Sequence, residues 1–318
     1  MLRSIRKIYH PVWAQRTSRE KGFEGWYYRL VTADRRHSLA FIPGTRVGER
    51  EEAFLQILMQ GWEEGLWIPY PIESFQCTDH PFGICLEENR FSMDRIQVRL
   101  KDSHDIYGEV SIINSIKYPV RPWAPGIMGW YRYVPKMECY HGVIITDAEL
   151  EGSFFVHGQE LDFTGGRLYM EKDWGTSFPS AWIWVQSNQF KQAPTSFMMS
   201  IADIPWRGSS FTGFLCYFQT PDKLYRFTTY TGAKIISFEE HDKWIQVVFE
   251  DRSFRLTVKV HRSAGADLRA PKQGEMKRLI KETVSAKVDL WLEKRSGERI
   301  LSCNGDPAAF EQAGKLEI

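Results

Sequence analysis

Phe254-Arg-Leu-Thr-Val-Lys-Val-His261 alternates apolar and polar side chains without a break. Phe254, Leu256, Val258 and Val260 take one phase and Arg255, Thr257, Lys259 and His261 the other, the pattern of a strand with one dry and one wet face. The same period recurs at Ile96, Val98 and Leu100 against Gln97, Arg99 and Lys101. It appears again at Val288, Leu290 and Leu292 against Lys287, Asp289 and Glu293. Pro43-Gly44, Gly165-Gly166, Thr220-Pro221-Asp222, Ser296-Gly297 and Asn304-Gly305 read as turns between such runs. Only Ala270–Thr283 and Pro307–Gly314 carry enough helix formers to predict short helices. Many short strands separated by turns specify an all-β sandwich or barrel rather than a βαβ sheet.

The length, 318 residues, suits two domains, and 43% hydrophobic with 25% charged residues is ordinary globular usage. Forty-one basic against forty acidic residues leave a net charge of +1, so the chain has no global attraction for nucleic acid or anionic membrane. Aromatic residues make up 14%, with twelve Trp, more than core filling requires. The five cysteines, Cys77, Cys85, Cys139, Cys216 and Cys303, form no CxxC pair. That argues against a disulfide framework or thiolate zinc site and fits a reducing compartment. No apolar h-region follows the basic start, and the charge-free run Trp174–Phe190 is too short and polar to span a bilayer, so cytoplasm is the expected location. Arg3, Arg6 and Lys7 offer the one route to peripheral contact with anionic lipid, a solvated tail being the simpler reading. GxGxxG, Walker, GxSxG and HExxH motifs are all missing, which removes the usual support for nucleotide, serine-hydrolase or zincin chemistry.

Glu24-Gly-Trp-Tyr-Tyr28 opens an aromatic strand near the start. Glu171-Lys-Asp-Trp-Gly175, followed by Trp182-Ile-Trp184, echoes it about halfway along. Two such openings predict two successive β domains, residues 1–165 and 166–318, with the boundary near Gly165-Gly166.

In an extended strand Trp182, Trp184, Gln186 and Asn188 share one face, and Ile183, Val185, Ser187 and Gln189 the other. Two indoles and two amides suit a pocket wall, which combines aromatic area with a few orienting polar groups. Packing between sheets, with the amides bonded to loop backbone, explains the same residues equally well. Glu171 and Asp173 share a face if extended, and Trp174 beside them lowers the local polarity, a setting that makes a general acid. On residue type alone, a loop acid pair bridged to Lys172 or to an Arg is the simpler account. In Met137-Glu-Cys-Tyr-His-Gly142, Cys139 and His141 share one face. Cys–His catalytic partners normally lie far apart in sequence, so a structural histidine is the preferred reading. The eight His are dispersed without ligand spacing, and no metal site is expected. Arg269 is expected to stack on an early indole such as Trp26, the device that closes lipocalin-like barrels, a contact worth about 2 kcal/mol when desolvated.

Together these stretches resemble the tocopherol cyclase family. The matching segments are Phe23–Tyr28, Met137–Gly142 in its Gly129-Trp130-led segment, Tyr169–Gly175 with Phe178-Pro179 and Trp182–Gln186, and Ala264–Pro271. Glu-Lys-x-Trp-Gly…Phe-Pro…Trp-x-Trp-x-Gln is the most specific of them. The resemblance implies two tandem lipocalin-like β-barrel or sandwich domains with few short helices, akin also to carotenoid-hydratase and Diels–Alderase-like proteins, around a greasy cleft. It implies chromanol ring closure on a prenylated hydroquinone, an intramolecular isomerisation with no redox cofactor and no metal. The family usually carries Asn where this chain has Asp173, so the acid role falls first on Glu171 and second on Asp173. No long plastid-targeting leader is present, which suits a bacterial-type relative. The implied substrate contacts are Trp26, Tyr27, His141, Trp174, Trp182, Trp184, Gln186 and Asn188. Their indoles would steady a passing cation, and Gln186 and Asn188 would hold the quinol hydroxyls. Two other readings use the same residues: a non-catalytic carrier for a hydrophobic isoprenoid or lipid, and an alkene hydratase or isomerase that admits water.

Overall fold

The computed structural model describes residues 10–15, 21–192, 195–206 and 208–318. Arg3, Arg6 and Lys7 lie outside them. Two compact units result. The first comprises Met1–Met59, Glu64–Phe178 and Leu268–Leu279, and the second Gln60–Glu63, Pro179–Asp267 and Ile280–Ile318. Both are β structures, and among the described residues one α-helical turn, Lys101–His104, is present.

The first unit begins with β1 (Gly22–Val31), β2 (Ser38–Val47), β3 (Glu51–Met59) and β4 (Leu66–Pro71). It continues with β5 (Phe75–Asp79), β6 (Phe82–Leu86), β7 (Asn89–Ser92), β8 (Arg95–Leu100) and β9 (Ile106–Lys117). A small ribbon, β10 (Val120–Arg121) with β11 (Ala124–Pro125), precedes β12 (Cys139–Val156), β13 (Gln159–Asp162) and β14 (Arg167–Gly175). The main sheet runs β4-β3-β2-β1-β14-β12-β9-β8-β7-β6-β5. Its end strands β4 and β5 are joined only by the 3-10 turn Ile72–Ser74. Four Cα steps cannot exceed about 15 Å, so the chain itself draws the two edges together and curls the sheet into a nearly closed barrel. Trp26 packs on Phe75 and Phe82, Tyr28 on Phe91, and Phe41 on Phe91 and Phe154, which fills the interior with rings.

In the second unit β15 (Trp182–Ser187), β16 (Ser196–Trp206), β17 (Ser209–Gln219) and β18 (Leu224–Thr228) come first. They are followed by β19 (Lys234–Glu240), β20 (Trp244–Glu250), β21 (Phe254–His261), β22 (Ala266–Lys272), β23 (Glu275–Lys294) and β24 (Arg299–Ala313), of which Leu268–Leu279, most of β22 and the start of β23, belongs to the first unit. The sheet order is β18-β17-β16-β15-β24-β23-β21-β20-β19. Here too the end strands are consecutive in the chain, linked through the 3-10 turn Thr229–Thr231 and Gly232. Its core is aliphatic and aromatic, with Ile183, Val185, Phe197, Ile201, Phe249, Leu256, Val258 and Leu290 at its centre.

The alternating runs at 95–100, 254–261 and 287–293 are the strands expected. The two predicted helices are not helices. Ala270–Thr283 forms the hairpin of β22 and β23, and Pro307–Ala313 is the end of β24, with Gly314 just beyond it. Cross-strand pairing overrides helix propensity there. Buried Met276, Ile280, Glu282, Val284, Ala286 and Val288 keep a period of two, and Gln273 and Gly274 take the positive φ (52° and 80°) of a two-residue hairpin turn. Pro43-Gly44 and Asn304-Gly305 lie inside strands rather than at turns. A Cβ at Gly44 would stand 2.5 Å from the Glu24 carbonyl oxygen and from the Phe54 ring, so this glycine permits a close approach of chain to chain. The acid–Trp–Gly echo is also corrected. Glu171–Gly175 does not open a second barrel; it closes the first, with Phe23 opposite Gly175, Trp26 opposite Lys172 and Tyr27 opposite Glu171. Arg269 stacks on Trp67 at 5.3 Å, an early indole but not Trp26.

Candidate functional site

The closing strand β14 has two faces with different chemistry. Directly paired residues share a face, so Leu168, Met170 and Lys172 point into the first barrel with Leu30, Tyr28 and Trp26 of β1. Trp174 follows in the same phase. Tyr169, Glu171 and Asp173 therefore take the outer face. His141 of β12 stands opposite Asp173, and Tyr27 opposite Glu171, on that same outer side. The acids are strand residues, not the loop pair that residue type alone favours.

On the outer face four polar side chains form one chain. Asp173 Oδ1 lies 2.9 Å from His141 Nδ1, and His141 Nε2 lies 3.5 Å from Glu171 Oε2. The Tyr169 hydroxyl donates to Glu171 Oε2 at 2.6 Å. Glu171 is only 4% exposed. Burial at a carboxylate is tolerated when hydrogen-bond donors satisfy it, and the tyrosine supplies one. Cys139, on the same face, has its thiol pKa pushed well up, by burial first and the nearby Asp173 charge second, which makes it a poor nucleophile. His141, Glu171 and Asp173 each place a ligand-type atom within 4.8 Å of the others, a spacing that a divalent cation could accept.

On the inner face Lys172 is fully buried. Its ammonium donates to the Trp13 carbonyl oxygen at 2.7 Å, pairs with Glu24 at 3.3 Å, and lies 4.5 Å and 4.9 Å from the Trp26 and Trp174 ring centres. Burial pulls its pKa down to about 8, against the opposing pull of Glu24. Arg132 stacks on the other residues of this group, 4.7 Å from Trp174 and 5.5 Å from Tyr140. Trp26 and Trp174 thus sit on the inner face of the wall and the acid cluster on the outer, although the sequence reading put them with one substrate.

Trp182, Trp184, Gln186 and Asn188 belong to the second unit. Ile183 and Val185 enter its core, so Trp182 and Trp184 take the opposite face of β15, where they too are buried. The Trp182 indole donates to Glu311 Oε2 at 2.9 Å, and Asn188 Oδ1 accepts from Gln189 Nε2 at 2.9 Å.

Residues 97–314, more than half of the chain, match the family described as tocopherol cyclase-like. The chain belongs to that family. Over 202 residues it is 25% identical to the probable tocopherol cyclase, chloroplastic, of Oryza sativa subsp. japonica. Over 201 residues it is 23% identical to the tocopherol cyclase, chloroplastic, of Zea mays. These alignments take in 58% of this chain but only 42% and 41% of the two relatives. The family match spans His141, Glu171, Asp173 and the β15 residues, whereas Trp26 and Tyr27 precede it. No helix among the described residues is long and apolar enough to cross a membrane. Tyr169, Lys172, Glu24 and Arg132 were not singled out from sequence as members of a site. For Lys172 and Glu24 a signal exists: each shares the phase of apolar neighbours, Leu168, Met170 and Trp174 in one case, Trp26 and Tyr28 in the other.

Proposed function

We propose that this protein is a cyclase that closes an ether ring on a prenylated hydroquinone by acid catalysis, without a cofactor. The observation that carries this reading is the buried Glu171 carboxyl held between Tyr169 and the His141–Asp173 pair. In the reaction the alkene of the prenyl chain takes a proton from Glu171, leaving a tertiary cation. The phenolic oxygen attacks that carbon and gives up its own proton, so atoms balance and the acid is restored. His141, oriented by Asp173, is placed to pass protons to and from Glu171, and Tyr169 fixes the carboxyl rotamer. General acid catalysis of this kind contributes about 10²–10⁴-fold. Excluding water from the cation decides between ring closure and hydration. Family membership supports the cyclase class, and the short share of each relative that is aligned makes the substrate part of the proposal.

The test is incubation with a prenylated hydroquinone followed by chromatography and mass spectrometry. A product of unchanged mass and altered retention, lost in Glu171→Gln, is expected. A product heavier by one water would replace ring closure by hydration. Tight binding with no product at all would leave a carrier.

A further inference from the structure

The inner cluster of the first barrel has an occupant, and it is part of the same chain. Residues 10–15 receive hydrogen bonds from side chains of the barrel at several points. The Trp26 indole donates to the Val12 carbonyl oxygen at 2.8 Å, and Lys172 Nζ to the next carbonyl, that of Trp13, at 2.7 Å. The Gln15 amide donates to Glu24 Oε1, and Arg132 Nη2 donates to Gln15 Oε1 at 2.8 Å. The Trp13 ring packs on His10 and edge-on to His80. Val12, Trp13 and Ala14 are buried at 3–5% exposure. Room is made on the other side as well: a Cβ at Gly142 would lie 2.3 Å from Pro11 Cβ.

We propose that residues 10–15 are a tethered peptide ligand of the first barrel, and that Lys172, Trp26, Glu24 and Arg132 form its binding site. The site reads backbone rather than sequence-distant charge. Two successive carbonyl oxygens face two donors, one of them a buried ammonium that needs more negative charge than Glu24 alone provides. Indole faces on either side of Lys172 supply the rest. The chemistry it recognises is an uncharged peptide turn with an aromatic residue after the first carbonyl. This inference does not depend on the ring-closing reaction, because the acid cluster occupies the other face of β14.

Two measurements on the full chain test it. In the wild type, hydrogen exchange at the Gln15 amide should be at least about 10-fold slower than in the free peptide; exchange at the free rate overturns the proposal. Next, residues 16–20 are replaced by a site-specific protease sequence and the chain is cut there. The severed N-terminal piece should co-elute with the body. It should be displaced by an excess of labelled synthetic His-Pro-Val-Trp-Ala-Gln, and that displacing peptide should bind at least about 10-fold more weakly to the cut Lys172→Met protein. A cut piece that leaves at once from wild type, or a labelled peptide that Lys172→Met binds equally well, overturns it.

Discussion

Both sheets pair an early strand with a late one at their middle, β1 with β14 and β15 with β24, yet the two pairings are filled differently. The second barrel has Ile183, Val185 and Phe310 at this pairing, with Phe249, Leu256 and Val258 behind them. The first places a lysine, a glutamate and two indoles at the equivalent pairing, with Trp26 opposite Lys172. Burial of apolar area at roughly 25 cal/mol per Å² stabilises the second. A buried ion pair adds little net stability over an apolar filling, but it tolerates no loss of one partner. One topology thus accommodates a core held by area and a core held by pairing.

The largest expected effect lies on the outer face of the first closing strand. Glu171→Gln should lower ring-closing turnover by about 10²–10⁴-fold, read as product formed per minute at saturating substrate. In the second barrel Phe249→Ala should cost about 3–5 kcal/mol of stability in a denaturant titration, with no compensating charge change able to restore it. Lys172→Met should cost about 3 kcal/mol by stranding the Glu24 carboxylate, and Glu24→Gln added to it should recover most of that loss. Failure of the double substitution to recover would erase the distinction between the two cores. A pH series sharpens it further. Lys172 gives up its proton near 8 when folded and near 10.5 when unfolded. Unfolding therefore takes up a proton within that window, and raising pH through it should favour the folded wild type over Lys172→Met by about 3 kcal/mol. The smallest effect is expected from Asp173→Asn, whose amide oxygen can still accept from His141, with turnover reduced less than about tenfold.

Much of the fold was legible because half-buried strands write their two faces into the sequence: β8, β21 and the C-terminal half of β23 can be read directly. The N-terminal half of β23 could not, since Lys277, Arg278, Lys281 and Glu282 have side chains common to helices, and what makes them strand is pairing with distant segments. Glu171 and Asp173 were recognisable by likeness to a family. Their joining to His141 required the register of β12 on β14, which lies 30 residues and more away in the chain and leaves no local trace. Lys172 misled for an instructive reason: between two acids it looks like their partner, although its phase sends it through to the other side of the wall.

The unpaired edges β4 and β5, and β18 and β19, give each barrel a seam that an incoming strand from another molecule could enter. The two seams are guarded by different means. Pro69 and Pro71 strip two amide donors from the six-residue β4, while β19 carries Lys234, Glu239 and Glu240 along its rim. Proline denies a template and charge repels one, so these positions, remote from any chemistry, guard the sheet ends against strand addition.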